Sequence, residues 1–367
     1  FMKQLGSGGS RQFMSVPIAL QLTQPIFGVN NLKWNRRIEP VRYEEAKAAF
    51  ITATETVTMN AITYFFNLLS AKETLGTARQ NQVNADRLYE VAGAKRKMGQ
   101  ISENELLQLK LAALKARAAV TDAESNLNAH MFRLRSFLAI GNDLILEPVV
   151  PESAPNLKME YNQVLNKALE RNSFAHNIRR RQLEAEYEVA TARGNLRSVD
   201  LFANVGYTGL NKDLSPAYHN LLDNQVVEVG VKIPILDWGK RRGKVRVAKS
   251  NRDVTLSKIK KEQMDFDQDI FLLVEHFNNQ AQQLSIANEA DKIAQQRYKT
   301  SVETFLIGKI NTLDLNDAQN SKDDARQKHI NELYWYWYYY YQLRSLTLWD
   351  FQNNTPLEAD FEDIIKK

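Results

Sequence analysis

The chain contains two copies of one sequence pattern, placed 209 residues apart with no gap needed between them. In the first copy a strand-like run ends near Pro25, and in the second copy a similar run ends near Pro234. The segments that follow Gly99 and Gly308 correspond under the same offset. Self-similarity at a fixed long period indicates a duplicated architecture. Each copy predicts a strand, a very long helix, a glycine turn and a second helix.

The two long helices are predicted from the absence of proline. Residues 41–147 contain none, and neither do residues 235–355. Because proline costs about 3 kcal/mol inside a helix, these stretches permit uninterrupted helices. The pattern predicts helices over roughly 34–97 and 240–306, which are about 95 and 100 Å long at the usual rise of about 1.5 Å per residue.

Each long helix is expected to end at its glycine and to be followed by a return helix. The return helices are predicted over 102–139 and 311–346, and a further upper helix over 174–195. Only one upper helix exists for two long helices, so we expect that a helix and a strand precede Phe1 in the complete protein. The aromatic run Tyr334–Tyr341 is interpreted as a packed helix junction rather than a membrane-interface belt.

This pattern divides the chain into four parts. The first structural repeat is predicted over 1–139, without its first helix and strand. A proline-rich equatorial connection follows over 140–172, and the second repeat, with upper helix, two strands, long helix and return helix, over 173–347. Residues 348–367 form a C-terminal tail.

Three runs alternate apolar and polar residues, at 15–23, 201–207 and 227–233. They approach the 9 to 11 residues that a tilted strand needs to cross a bilayer, although a period of two also fits any half-buried antiparallel sheet. Three strands do not close a barrel within one chain, and lipid does not tolerate open sheet edges. A membrane barrel therefore requires several chains.

Composition excludes several classes of function. No run of about 20 apolar residues predicts a transmembrane helix, and the lack of cysteine excludes disulfides and thiolate chemistry. The five histidines are scattered without metal-ligand spacing, and no nucleophile elbow, phosphate loop or carboxylate dyad is found. We therefore expect neither an enzyme nor a cofactor or metal. The basic clusters are interpreted as solvated helix faces, and nucleic-acid binding is not expected because no basic, aromatic-rich groove accompanies them.

Several motifs resemble the TolC-like family of outer-membrane efflux proteins. The segment Gly308–Gln319 is similar to the hairpin-tip motif of the family, a glycine turn followed by Asp-x-x-Asp-Ala-Gln. The segment Pro234–Arg242 is similar to its strand-to-helix signature, and Ala168–Asn172 resembles the segment before the upper helix. Ser173 stands where the family usually has proline. The likeness covers nearly the whole chain.

The resemblance implies a mainly α fold with transmembrane β, in which long antiparallel helical hairpins form a tunnel. A homotrimer would build one 12-stranded barrel in the outer membrane from four strands per chain and extend into the periplasm. The fourth strand is expected in the missing N-terminal part or around Phe1–Leu5. Residues 142–157 and the tail after Trp349 would form an equatorial collar.

The resemblance also implies three groups of functional residues. Asp314, Asp317 and Glu105 would form a periplasmic gate, although acidic residues at a helix start also offset the helix dipole. Gly99, Gln100, Gly308 and Lys309 would dock a periplasmic adaptor, although any helical hairpin needs such glycines for its turn. The strand-to-helix junction would comprise Pro25, Pro234, Asp237, Gly239, Lys240, Arg241 and Arg242. The segment Gly6–Ser10 is interpreted either as a loop or as a linker, and no function is inferred from it.

The function implied is a passive exit duct of a tripartite efflux or type I-like secretion system, with an adaptor, an inner-membrane pump and outer-membrane lipid as partners. The alternative is a soluble, basic coiled-coil scaffold that dimerises and binds membrane surfaces. It explains the helix lengths and the positive charge, but not the alternating strands before each long helix.

Overall fold

The computed structural model describes residues 2–5, 11–141, 143–150, 155, 157–196, 199–211, 225–233 and 236–361. Its helices are α1 (Asn31–Lys97), α2 (Glu103–Leu138), α3 (Tyr161–Arg171), α4 (Ser173–Leu196), α5 (Lys240–Leu306) and α6 (Thr312–Thr347). Its strands are β1 (Met2–Leu5), β2 (Arg11–Pro25), β3 (Asp200–Asn211), β4 (Gln225–Lys232), β5 (Trp349–Asp350) and β6 (Thr355–Pro356). Within the described part, no helix is both long enough and apolar enough to cross a membrane. Gly6–Ser10 and Pro234 lie outside the described residues.

The duplication is visible residue by residue in the helices. Helices α1 and α5 each have 67 residues, and α2 and α6 each have 36. Asn31 and Lys240, the first residues of the two long helices, are separated by the 209-residue offset of the sequence repeat. The predicted long helices are confirmed, except that α1 begins three residues before Trp34 and contains Pro40.

The chain forms two compact units. The first comprises Phe1–Tyr43 and His176–Gln263, and the second Glu44–Ala175 and Met264–Lys367. The first unit contains the four-stranded sheet, and the second contains the helical hairpin turns and the largest apolar core.

The sheet of the first unit is antiparallel, in the order β1-β2-β3-β4. The three strands predicted from alternation are present, and β2 and β3 extend beyond their predicted ends. The fourth strand is β1, within the Phe1–Leu5 segment where the sequence placed one alternative for it. An irregularity in the pairing of β2 lies between Ser15 and Ile18.

The two faces of this sheet differ in polarity. Leu20, Val205 and Val227 lie directly opposite one another on neighbouring strands, and all three are exposed. The next residues along these strands form a polar row on the other face: Gln21, Asn204 and Glu228. Side chains alternate between faces in a strand, so the sheet has one apolar and one polar side.

A glycine on β4 makes room for an aromatic ring on the polar side. Phe202 lies directly opposite Gly230, and a Cβ atom added at Gly230 would stand 2.5 Å from the Phe202 ring. Because real Cβ contacts are never that short, the ring position requires glycine there.

The core of the second unit is built around the aromatic run of α6. Tyr336 and Tyr340 are buried with Phe277 of α5, and the other members of the run are half-buried. The Tyr336 hydroxyl donates to the carbonyl of Pro155. Burial raises the pKa of Tyr336 to about 12. The run is thus a packed helix junction, as the sequence predicted.

Helix α3 was not predicted, because residues 140–172 were interpreted as a proline-rich connection. It buries Val164 and Ala168, and the Nζ atom of Lys167 lies 3.8 Å from the ring centroid of Trp349 in β5. Trp349 and Thr355 belong to the short β5–β6 ladder of the tail. The connection and the tail therefore pack on each other.

Candidate functional site

The two hairpin turns have the same backbone geometry. Gly99 has φ +74°, and its N–H donates to the carbonyl of Arg96 at 2.9 Å, while the N–H of Gln100 donates to that of Lys95 at 2.9 Å. Gly308 has φ +78°, and the corresponding bonds of the second turn measure 2.9 and 3.1 Å. This paired pattern ends a helix at a residue in the left-handed conformation, which glycine adopts without steric cost.

The two turns differ in how the following helix is capped. Ser102 Oγ accepts from the N–H of Glu105 at 3.2 Å, and the Glu105 carboxylate accepts from the N–H of Ser102 at 2.8 Å. This reciprocal capping box occupies Glu105. In the second turn Asn311 Oδ1 accepts from the N–H of Asp314 at 2.9 Å. The Asp314 carboxylate is exposed and has no ion-pair partner among the described residues.

Asp317, the second predicted gate residue, is paired within the chain. Its carboxylate accepts from Arg297 Nη2 of α5 at 2.5 Å, and both side chains are more than half exposed. Exposed ion pairs contribute at most about 1 kcal/mol, so this contact is easily exchanged for another partner. Arg297 was not singled out from the sequence. Its position in the sequence could have predicted this pairing. Arg297 and Asp317 lie at similar distances before and after Gly308, on the two arms of one hairpin.

The tips of the two hairpins pack against each other through a small apolar cluster. Its buried members are Leu88, Ala92, Leu109, Tyr298, Leu315 and Ala318. Lys95 of the first hairpin donates to the carbonyl of Leu306 at 3.3 Å, and its ammonium lies 5.7 Å from the ring centroid of Phe305. Lys95 therefore fastens the end of α1 to the end of α5.

An open cavity of about 650 Å³ lies between the packed tips. Its lining includes five of the residues predicted for the gate and for docking: Gln100, Glu105, Gly308, Lys309 and Asp314. Residues from both repeats, which the sequence motifs alone did not bring together in space, therefore line one cavity.

The strand-to-helix junction is a separate site in the first unit. Asp237 accepts from the N–H groups of Gly239 and Arg241, both at 3.1 Å, and so caps the start of α5. The backbone hydrogen bond from Arg241 is the main cause of a lowered pKa of Asp237. Gly239 has φ +82°, and Trp238 before it is 91% exposed.

The other described junction residues lie at the end of β2 and on the first turn of α5. Pro25 is the last residue of β2 and lies opposite Asp200. Lys240 and Arg242 are exposed on the first turn of α5, whereas Arg241 donates to the carbonyl of Asn195 at 3.0 Å. The junction thus presents an exposed tryptophan and two exposed cations beside a structural arginine.

The sequence pattern of the family described as outer membrane efflux protein matches residues 2–139 and 164–347, which is most of the chain. The chain belongs to the outer membrane efflux protein family. No curated protein sequence matches it directly.

The family assignment is matched by solved structures with the same fold. The chain is similar to CusC, with a TM-score of 0.73 at 16% identity over 94% of this chain and 80% of CusC. It is similar to the outer-membrane channel OprN, with a TM-score of 0.73 at 15% identity over 94% of this chain and 78% of OprN. For the CmeC outer membrane channel of Campylobacter jejuni the TM-score is 0.69 at 18% identity, over 97% of this chain and 74% of CmeC.

These likenesses establish a mainly helical fold of the TolC-like channel type. The family and the fold are those of passive outer-membrane channels rather than of enzymes. Together they support an exit duct at the outer membrane.

Proposed function

We propose that this protein is the trimeric exit duct of a tripartite efflux or type I-like secretion system. Three copies contribute four strands each to one 12-stranded barrel, and their hairpins form a tunnel through the periplasm. The repeats over 1–139 and 173–347 supply strands and hairpins, while residues 142–157 and the tail after Trp349 form the equatorial collar.

The observation that carries this proposal is the two-sided sheet. Its apolar side is exposed at Leu20, Val205 and Val227, whereas its other side carries the polar row with Glu228. A membrane barrel needs lipid-facing apolar residues that alternate with polar residues facing its lumen. In the described part of the chain, β1 and β4 each have one edge without a strand partner. Because open edges are not tolerated in lipid, neighbouring copies complete the sheet.

The gate of the proposed duct is assigned chiefly to Asp314. Glu105 is held in its capping box and Asp317 is paired with Arg297, whereas the Asp314 carboxylate is exposed at the tip. Three copies would bring three such carboxylates around one axis. Like charges in a narrow pore repel one another and attract cations, so the ring binds cations and favours opening.

Opening is proposed to be a shift between closed and dilated packings of the tips. A periplasmic adaptor that binds the dilated form more tightly would shift the equilibrium toward it. Gly99, Gln100, Gly308 and Lys309 form the exposed turn surface for this contact. The pump supplies energy and substrate choice, and the duct supplies the conduit.

The proposal is tested first by the native mass of the protein extracted from membranes in mild detergent. We expect a detergent-dependent species of three subunits. A detergent-independent monomer or dimer would contradict the duct and favour the soluble coiled-coil scaffold.

The gate is tested by conductance in planar bilayers. Asp314→Asn is expected to weaken block by divalent cations by about tenfold or more, since it removes the ring charge. Glu105→Gln is the matched control at the equivalent position of the first hairpin, and we expect little change in block. If both variants weaken the block by divalent cations equally, Asp314 is not the gate residue.

A further inference from the structure

One side of the pair formed by α5 and α6 is covered by the connection over 140–172. The N–H of Met159 donates to Asn278 Oδ1 of α5 at 3.0 Å, and the ring centroids of Tyr161 and Phe271 lie 5.7 Å apart. Phe271 and Asn278 are seven residues apart and therefore share one face of α5. Three copies of this connection would obstruct a tunnel if they lay inside it. In the proposed duct the covered side is therefore the outer side.

An open cavity of about 540 Å³ lies on the other side of the same helix pair. Residues of α5, α6 and α1 line it, among them Asp269, His276, Tyr339, Gln342, Ser345 and Thr52. Asp269 and His276 each stand two residues before a covered residue of α5, which is a rotation of about 200° around the helix. The cavity thus faces away from the connection and, in the proposed duct, toward the tunnel.

Three aromatic rings form a stack along this side. The ring centroids of Trp335 and Tyr339 are 5.6 Å apart, and those of Tyr339 and His276 are 5.7 Å apart. The planes of Tyr339 and His276 differ by only 14°. Trp335 and Tyr339 are half-buried, and His276 is exposed. Aromatic rings stack on planar ligands, and the faces of tryptophan and tyrosine attract cations.

Asp269 gives the cavity a negative charge. Its side chain is exposed, and none of the described lining residues is a lysine or an arginine. Asp269 stands seven residues before His276 on the same face of α5, which is about 10 Å along the helix axis. A ligand of about that length reaches both the carboxylate and the ring stack. The cavity size is also within the usual range of small-molecule sites, about 300 to 1,000 Å³.

The first repeat shows that the helical hairpin forms without this set of residues. Subtracting 209 from the positions of Asp269, His276, Trp335 and Tyr339 gives four residues of α1 and α2. These are Asn60, Asn67, Asn126 and His130. The first hairpin has no carboxylate and no tryptophan or tyrosine at these positions, yet its helices have the same lengths. The carboxylate and the large rings are therefore a feature of the second hairpin alone.

We propose that this cavity binds organic cations with a planar aromatic body inside the tunnel. The planar body stacks on Tyr339 and His276, the positive group lies at Asp269, and Gln342 and Ser345 offer hydrogen bonds. This inference deepens the proposed function and rests on it, because it names a substrate class for the duct. A conduit must also release what it binds, so we expect weak binding, with one site per copy and three per trimer.

The test uses ethidium, a planar aromatic cation whose fluorescence rises when it leaves water. It is titrated into the complete protein, extracted in mild detergent. We expect saturable binding at one site per copy. Asp269→Asn with Tyr339→His places the first-repeat residues at both positions, so the fold should tolerate it. This double variant should raise the dissociation constant by about tenfold or more, because it removes the charge and the large ring.

Two controls separate the site from general effects of charge and of apolar surface. Glu275→Gln makes the same change of charge on α5 one residue before His276, at a position outside the cavity. It should change the dissociation constant of ethidium by less than about twofold, because an exposed charge is screened. The second control is 8-anilinonaphthalene-1-sulfonate, a planar aromatic anion. Its binding should be the same in the unmodified protein and in the double variant.

The outcomes separate this inference from the proposed function. A native mass of three subunits with equal ethidium binding by the unmodified protein and the double variant would overturn the site and leave the duct intact. An equal loss of ethidium and of 8-anilinonaphthalene-1-sulfonate in the double variant would overturn the recognition of cations. A native monomer would overturn both the tunnel site and the trimeric duct.

Discussion

In the second hairpin, α5 and α6 bury the large rings of Phe277, Tyr336 and Tyr340, whereas in the first hairpin α1 and α2 bury a smaller cluster of Leu75, Ala78 and Ala123. The backbones are nevertheless matched in helix length and turn geometry. The duplication therefore fixes helix lengths and turns, while side-chain size and burial diverge between the copies.

The largest expected difference between the hairpins is the loss of stability when equivalent arginines are replaced. Arg326 of α6 bridges Glu73 and Asp291, and the Asp291 side chain is 5% exposed. Arg117 of α2, at the equivalent position, pairs with Asp86 on the surface. Arg326→Met should cost about 3 kcal/mol because it leaves a buried charge unpaired. Arg117→Met should cost at most about 1 kcal/mol.

Both arginine variants are measured by denaturant unfolding in detergent, followed by far-UV circular dichroism. If the two substitutions lower the free energy of unfolding equally, burial of Asp291 does not distinguish the hairpins.

A pH effect of intermediate size is expected from the second hairpin alone. Tyr336 is 1% exposed, and burial raises its pKa from 10.0 to about 12. Below pH 10 the Tyr336 hydroxyl keeps its proton in both the folded and the unfolded chain, so its contribution to the free energy of unfolding is fully present. Between pH 10 and 12 only the unfolded chain loses it, and stability falls by on the order of 2 kcal/mol. The equivalent residue of the first hairpin is Leu127, which does not titrate.

Tyr336→Phe should therefore flatten the alkaline loss of stability, measured as the unfolding midpoint between pH 9 and about 12. Tyr64→Phe, at a half-exposed ring packed on Phe137, is the control. An unchanged slope in the Tyr336 variant would show that other groups cause the alkaline loss.

The smallest expected loss of stability comes from replacing the turn glycines, and it should be the same in both hairpins. Gly99→Ala and Gly308→Ala should each cost about 1 kcal/mol, because both glycines have positive φ and an added Cβ meets no atom within 4 Å. Gly93→Ala, inside α1 and equally open, should instead stabilise the helix by roughly 0.5 to 1 kcal/mol. Thermal unfolding midpoints measure all three. Unequal losses at the two turns would show that their surroundings, and not φ, determine the cost.

Much of this fold was predictable because its signals are local. Proline-free stretches, glycine stops and the residues Ser102 and Asn311 define the hairpin helices to within a few residues. Helix α3 was missed because it is only 11 residues long and follows a proline-rich segment. Short helices are stabilised mainly by tertiary packing, here at Val164 and Ala168, which local patterns do not reveal.

The candidate site was less predictable because its chemistry depends on pairing. A motif located Asp314 and Asp317, but only the register of α5 against α6 brings Arg297 to Asp317. For Glu105 the signal was present, since Ser102-x-x-Glu105 is a capping-box sequence. Whether a carboxylate at the tip is free is thus set by contacts across the turn.

The equal count of 67 residues in α1 and α5 limits how such a chain evolves. Deleting one residue from α5 shortens it by about 1.5 Å and turns everything beyond the deletion by about 100°. Tyr298 would then turn away from the apolar cluster of the hairpin tips, and Gly308 would no longer stand level with Gly99. A change of seven residues nearly restores the face. Homologues that lengthen one long helix should lengthen the other by the same number, in steps close to two helical turns.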